Sequence, residues 1–308
     1  MIMSMDKSIK QLAIIGPTAS GKSKLAVSIA QQINALILSL DSLSLYKEIN
    51  IVSAKPTLSE REDMEHYGID LLYPDEHFDV TLFGKLYQDA YRTAKKEGKN
   101  LIIVGGTSFY LKSLIEGISP LPPRDDTAIR KINEAVLNNK EAYQMLSQLD
   151  PEYMMAIASN DSYRIHKALE IYYATNEIPS LYFKNNPPVP VIQGELPIYH
   201  ILTERTHLRK RIAQRTTEMI INGLIDEIAY LEKKYSRRPN CMKAIGIRET
   251  LSYFDGFYDR TILAEKISTN TARLAKRQET FNQSQFKNII SLELNDLKKR
   301  ILEEVKIL

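Results

Sequence analysis

Two absences narrow the chemistry of this 308-residue chain before any motif is read. It has a single cysteine, Cys241, so no disulfide can form within it, and its five histidines (His66, His77, His166, His200, His207) show no spacing that would make a zinc site. Cys241 reads as a packing residue. No apolar run approaches the roughly 20 residues of a membrane span, and Met1 to Lys10 lack the apolar stretch of a signal peptide. The expected compartment is a reducing cytoplasm. With 44% apolar and 26% charged residues, the composition is that of a globular protein with one domain plus an appendage, or two domains.

What is present begins with Gly16-Pro17-Thr18-Ala19-Ser20-Gly21-Lys22-Ser23, which fits G-x-x-x-x-G-K-[ST]. It lies between a strand-like run, Leu12 to Ile15, and a helix-like one, Leu25 to Ile33. In that context successive backbone N–H groups turn inward, and the helix adds the positive end of its dipole. Lys22 supplies a mobile charge for phosphate and Ser23 a hydroxyl for a divalent ion, so Mg2+ is the expected cofactor.

Strand-like runs at Leu12 to Ile15, Ala35 to Leu40 and Leu101 to Val104 alternate with helical stretches at 22–34 and about 82–97. That alternation predicts an α/β fold, a P-loop NTPase-like, mostly parallel sheet flanked by helices. From Pro122-Pro123-Arg124 the pattern turns purely helical, with helix starts at Asp125, Asp150-Pro151 and Asn160-Asp161. It closes at the proline cluster 187–190, and a strand-like Ile198 to Leu202 follows. The expected organisation is a core over 1–123, an inserted all-helical subdomain over 124–197, and a return to the core over 198–308 with long helical stretches at about 205–235 and 260–285.

Charge is divided unevenly along this plan. Residues 1–200 hold 20 Lys+Arg against 24 Asp+Glu, whereas 201–308 hold 21 against 14. Basic clusters at Arg205, Arg209, Lys210, Arg211 and Arg215, and at Arg273, Lys276 and Arg277, are interleaved with Tyr253, Phe254, Phe257, Tyr258 and Phe281. Such a surface suits a polyanion, although helix faces neutralised by local acids would have the same composition.

Ligands of open α/β sheets bind beyond the carboxyl ends of the strands, which singles out Asp41 and Thr107. Asp41 begins Asp41-Ser42-Leu43-Ser44-Leu45-Tyr46 and is a candidate metal ligand or general base, or else a cap. Thr107 ends Leu101-Ile102-Ile103-Val104-Gly105-Gly106-Thr107, where a nucleotide hydrolase would carry an acid. Group transfer from a diphosphate or triphosphate therefore fits better than hydrolysis.

These segments, with Ser53-Ala54-Lys55-Pro56, Asn160-Asp161 and Arg164, Ala244-Ile245-Gly246 with Arg248-Glu249, and Ala275-Lys276-Arg277-Gln278, resemble the tRNA dimethylallyltransferase (IPP transferase) family in order over about residues 10–285. The resemblance implies transfer of a dimethylallyl group from dimethylallyl diphosphate to N6 of adenosine 37 in tRNAs that read codons beginning with U. It implies Asp41 as the base, Thr107 and Lys22 as further catalytic groups, and the loop 16–23 with Arg215 on the diphosphate, Arg211 competing for that place. RNA contacts are implied at Asp41, Ser42, Leu43, Ser44, Thr107, Arg124, Tyr163, Arg164, Ile165, His166, Lys167, Arg248, Lys276 and Arg277. Where the family has Gln, Arg, Tyr and Trp, this chain has Ser44, Lys167, Ile247 and Phe281. The expected partners are tRNA, at its anticodon stem-loop, and the diphosphate donor, with no membrane and a monomeric chain. A P-loop kinase of a small molecule or nucleotide, a prenyltransferase of free adenine nucleotides, and a non-catalytic phosphate-binding module remain as alternatives.

Overall fold

Strand segments rich in Ile, Leu and Val, buried on both faces, favour a parallel sheet, because crossover helices then cover each side. The computed structural model, which describes residues 9–123, 130, 132 and 138–307, has six strands, the inner ones of this kind: β1 Gln11–Ile15, β2 Ala35–Ser39, β3 His66–Tyr67, β4 Asn100–Gly105, β5 Ile198–Leu202 and β6 Ile289–Glu293. Their order is β3-β2-β4-β1-β5-β6, and every neighbouring pair is parallel, with Ala13 opposite Ile103 and Leu38 opposite Ile103 from the other side. The period-2 alternation of a strand decides which side chain meets which layer. Ala13, Ile15, Leu36, Leu38, Leu101 and Ile103 pack under the helix Val80–Glu97 through Phe83, Leu86, Tyr87 and Ala90. Leu12, Ile14, Ala35, Ile37, Ile102 and Val104 face the helices Lys22–Ile33 and Leu294–Ile307 through Leu25, Ile29, Leu297 and Ile301.

Two compact units share the chain, Met1–Ile115 with Val191–Leu308, and Glu116–Pro190. The second unit is wider at its start and shorter at its end than the insertion expected over 124–197. Three of its described helices begin where capping residues are. Asn138 caps Asn139–Leu149, Asp150 caps Pro151–Met154 and Asp161 caps Ser162–Thr175 through side-chain bonds to first-turn N–H groups. Leu146, Met154, Ile165, Ala168 and Leu169 form its core. Asp125 and Arg124 lie outside the described residues.

One expectation is sharpened. The helical stretch read at about 205–235 is two helices, Arg205–Ile221 and Leu224–Tyr235, because Gly223 takes φ +99°, a left-handed conformation that ends one helix and caps the next. These helices, with Ile247–Phe254 and Arg260–Gln285, build a third core around Ile220, Leu224, Ile228, Leu231, Ile247, Leu263 and Ile267, into which Tyr46, Ile49 and Val52 pack. Ile247 therefore spends its side chain on the core. Cys241 is buried in the same cluster, and desolvation raises its thiol to about 11, in keeping with a packing role.

Candidate active site

The strand ends β1, β2 and β4 converge on one side of the sheet. The phosphate loop follows β1, and Gly21 at φ +92° caps the helix that begins with Lys22. Asp41 follows β2. Its Oδ1 accepts hydrogen bonds from the N–H groups of Leu43 (2.9 Å) and Ser44 (3.1 Å), so the carboxylate organises its own turn. Beyond β4, the N–H of Thr107 donates to the Leu40 carbonyl at 3.3 Å, which ties the two strand ends together. That closeness demands glycine, since a Cβ at Gly105 would lie 2.2 Å from the Leu40 oxygen.

These groups open on a cavity of about 470 Å³. One end is polar, with Thr18, Lys22, Asp41, Thr107 and Arg215; much of the remaining wall is apolar, from Leu43, Val52, Ile212, Met219, Ile245 and Phe281. Burial pushes the Lys22 ammonium down to about 8, with Asp41 acting against the shift and Arg215 adding to it. Arg215 is likewise held below the ordinary guanidinium value by burial, and its Nη2 donates to the Ala54 carbonyl at 3.2 Å. Two half-buried cations beside an oily wall make a place for an anion with an apolar tail.

A smaller polar cavity adjoins it, lined by Thr18, Lys22, Ser23, Ser39, Asp41, Ser44, Ser53 and Arg215 among others. Among the described residues no group of three or more His, Cys, Asp or Glu could cage a metal. Hydroxyls with one carboxylate fit a hard cation that keeps most of its ligands as water and substrate phosphate, which is how Mg2+ is commonly held.

Of the residues singled out from sequence, Thr18, Ala19, Lys22, Asp41, Ser42, Leu43, Thr107, Arg215 and Arg277 line the larger cavity. Gly16, Pro17, Ser20 and Gly21 shape the loop, with Ser20 fully buried. Arg211 is exposed and is absent from the cavity walls, unlike Arg215 one turn further on. Arg248 and Lys276 are exposed, the former paired with the buried Glu249 at 2.7 Å. In the helical unit, Tyr163 and Arg164 are exposed, while Lys167 pairs with Glu170 at 2.8 Å and His166 is half-buried. Ile165 is corrected: it is fully buried in that unit's core, so its side chain cannot meet RNA.

Lining residues given no site role from the sequence include Ser53 and Ala54, the apolar wall from the two long helices, and Gln278. The helical period of Leu208, Ile212 and Met219 was the available signal for one wall. Gln278 sat within a motif without a role.

The family model for IPP transferase matches residues 44–285. The chain belongs to the IPP transferase family. As a member it is 58% identical over 299 residues to the tRNA dimethylallyltransferase of Sulfurovum sp., covering 97% of this chain and 99% of that protein, and 52% identical over 292 residues to that of Sulfurimonas denitrificans, covering 95% and 98%. Among solved IPP transferase structures, the full-length tRNA isopentenylpyrophosphate transferase of Bacillus halodurans superposes with a TM-score of 0.69 at 27% identity, covering 97% of this chain and 98% of that one. A eukaryotic dimethylallyltransferase captured acting on tRNA superposes with a TM-score of 0.78, also at 27% identity, over 92% and 74%.

Proposed function

We propose that the chain transfers the dimethylallyl group of dimethylallyl diphosphate to N6 of adenosine 37 in tRNAs reading codons that begin with U, releasing diphosphate. The observation that carries this reading is the cavity itself, whose apolar wall runs to a polar end holding Lys22, Arg215, Asp41 and Thr107. The backbone amides of the loop 16–23, Lys22 and Arg215 take the diphosphate, and the dimethylallyl chain lies along the apolar wall. An adenine amino group is a weak nucleophile, because its lone pair is delocalised into the ring. As its nitrogen bonds to C1 of the dimethylallyl group, Asp41 accepts the N6 proton, and the C1–O bond breaks with its electron pair leaving on the diphosphate. Thr107 hydrogen-bonds a diphosphate oxygen. Charge that grows on the leaving group meets donors already in place, so little reorganisation is needed. Ser23, with Asp41 nearby, would hold a magnesium ion, whose charge would further neutralise that of the leaving group.

The acceptor base must leave its stack to reach the cavity. With Ile165 removed, the other RNA contacts implied by the resemblance stand as proposed, among them Arg277 on the cavity wall, exposed Lys276 and Arg248, and Tyr163 and Arg164 of the helical unit. Among the described residues no helix is long and apolar enough to cross a membrane, and the proposed substrates place the reaction in the cytoplasm. Kinase and free-nucleotide readings are not favoured, given relatives named for tRNA across nearly their whole length.

The test is incubation of the protein with unmodified tRNA, Mg2+ and labelled dimethylallyl diphosphate, followed by nuclease digestion and mass analysis. An adenosine heavier by one C5H8 unit at position 37 is expected. Transfer to free AMP with none to tRNA would overturn the acceptor assignment.

A further inference from the structure

The helix Arg260–Gln285 carries one side chain that reaches across the mouth of the phosphate loop. Gln278 Oε1 accepts the N–H of Thr18 at 2.9 Å, and its Nε2 donates to the Gly106 carbonyl at 2.8 Å. One amide thus joins the phosphate loop after β1 to the segment after β4 that ends in Thr107. Its reach is tightly fitted, since a Cβ at Gly106 would stand 2.7 Å from Gln278 Nε2 and 3.4 Å from Lys22 Nζ. No other residue type supplies this pair of bonds at that length: Glu lacks the donor, Met lacks both polar atoms, and Asn is one methylene short.

We infer that Gln278 is a positioning residue for the transfer reaction, setting the separation between the phosphate loop and Thr107. The inference rests on the proposed reaction, in which loop amides, Lys22 and Thr107 grip one diphosphate from two strand ends. A leaving group gripped from two sides is stabilised only when both sides are held at the right distance, and misplacement by about 1 Å can cost on the order of 10² in rate. The donor bound in its ground state tolerates a looser grip, because Lys22 and Arg215 supply its main attraction. The chemical step should therefore suffer more than donor affinity.

The same helix turns Arg273 and Lys276 outward, on the face opposite the amide, while Arg277 lines the cavity wall beside it. Gln278 belongs with the loop and not with that basic face, so its loss should leave RNA affinity unchanged.

The experiment compares Gln278→Met, Gly106→Ala and the double variant Gly106→Ala/Gln278→Ala in single-turnover transfer, with KM for dimethylallyl diphosphate, Kd for tRNA and thermal midpoint measured alongside. Gln278→Met keeps length and packing without either bond. It should lower the single-turnover rate ten- to a hundredfold, with KM for the donor within threefold of the original and tRNA Kd unmoved. Gly106→Ala should reproduce that loss by displacing the amide, and adding Gln278→Ala to it should cost little more, since both act through one contact. A Gln278→Met rate within threefold of the unaltered protein overturns the inference, as does a loss lying wholly in KM. Additive losses overturn it too. Should the unaltered protein transfer nothing to tRNA, the proposed function fails instead, and the two failures are told apart in one assay.

Discussion

At Asp41 the turn-forming and proton-accepting roles belong to one side chain, and substitution can separate them. Asp41→Asn keeps an oxygen for the N–H groups of Leu43 and Ser44 but removes the basic site. Transfer should fall at least about 10²-fold in single turnover, while tRNA affinity by filter binding stays within about threefold. Equal loss of both would sink the base assignment. Lys22 offers a sharper test, because burial brings its pKa from 10.5 to about 8, within reach of a pH titration. Its folded value lies below its unfolded one, so the charge is present below about pH 8 and lost above it. Donor affinity should therefore weaken about tenfold from pH 7 to pH 9, with a proton taken up on binding in that interval. Calorimetry in two buffers of different ionisation enthalpy reads both quantities. Lys22→Ala should bind weakly and show no such uptake, and uptake persisting in that variant would assign it elsewhere.

Among the elements, the loop between β2 and β3 is held from outside itself. Glu227, in the first turn of Leu224–Tyr235, accepts the N–H groups of Asn50 (2.8 Å) and Ile51 (2.7 Å) on one oxygen and that of Val52 (2.9 Å) on the other. Within the loop, buried Lys55 donates to the Tyr46 carbonyl at 2.8 Å and pairs with Asp70 at 2.5 Å. The loop matters because its Ala54 carbonyl anchors Arg215. Glu227→Ala leaves three N–H groups without their carboxylate, so it should cost about 1–3 kcal/mol by urea denaturation and weaken donor binding severalfold through Arg215. Unchanged donor affinity in a destabilised protein would separate the loop from the site. This arrangement also explains what could be read beforehand. The phosphate loop, the Asp41 turn and Gly105-Gly106-Thr107 are short segments whose chemistry is local, and all three were legible. Glu227 on residues 50–52, Gln278 on Thr18, and the wall shared by Ile212, Ile245 and Phe281 depend on contacts between residues far apart in the chain. Periodicity shows that such a helix has an apolar face without showing what that face meets. Two-residue β3 is too short to give a strand period, and β6 escaped notice beside a long helix.

Over the whole molecule, the question left by composition is whether the basic excess of residues 201–308 is free to meet a polyanion. Local pairing disposes of part of it: Arg237 makes two bonds to Asp255, at 2.7 and 2.8 Å, and Lys234 is paired with Glu48 at 2.7 Å. Arg205, Arg209, Lys210 and Arg211 are exposed without an ion pair among the described residues, as are Lys276 and Arg277. Cations in that condition keep their counterions until a phosphate replaces them, and each replacement contributes about 0.7–0.9 to the slope of log affinity against log salt. Several such contacts predict a slope of about −3 to −5 for tRNA, measured by filter binding across salt concentrations. Reversing Arg209 and Lys276 together, as Arg209→Glu/Lys276→Glu, should reduce its magnitude by one to two units if both face phosphate. The same substitutions on a merely solvated face would leave the slope alone, so an unchanged slope with unchanged affinity would move the RNA surface off these two helices. A fall in affinity at constant slope would instead point to altered packing of Arg205–Ile221 against Arg260–Gln285, whose buried contacts run through Leu208, Ile212 and Ala275 beneath the charged face.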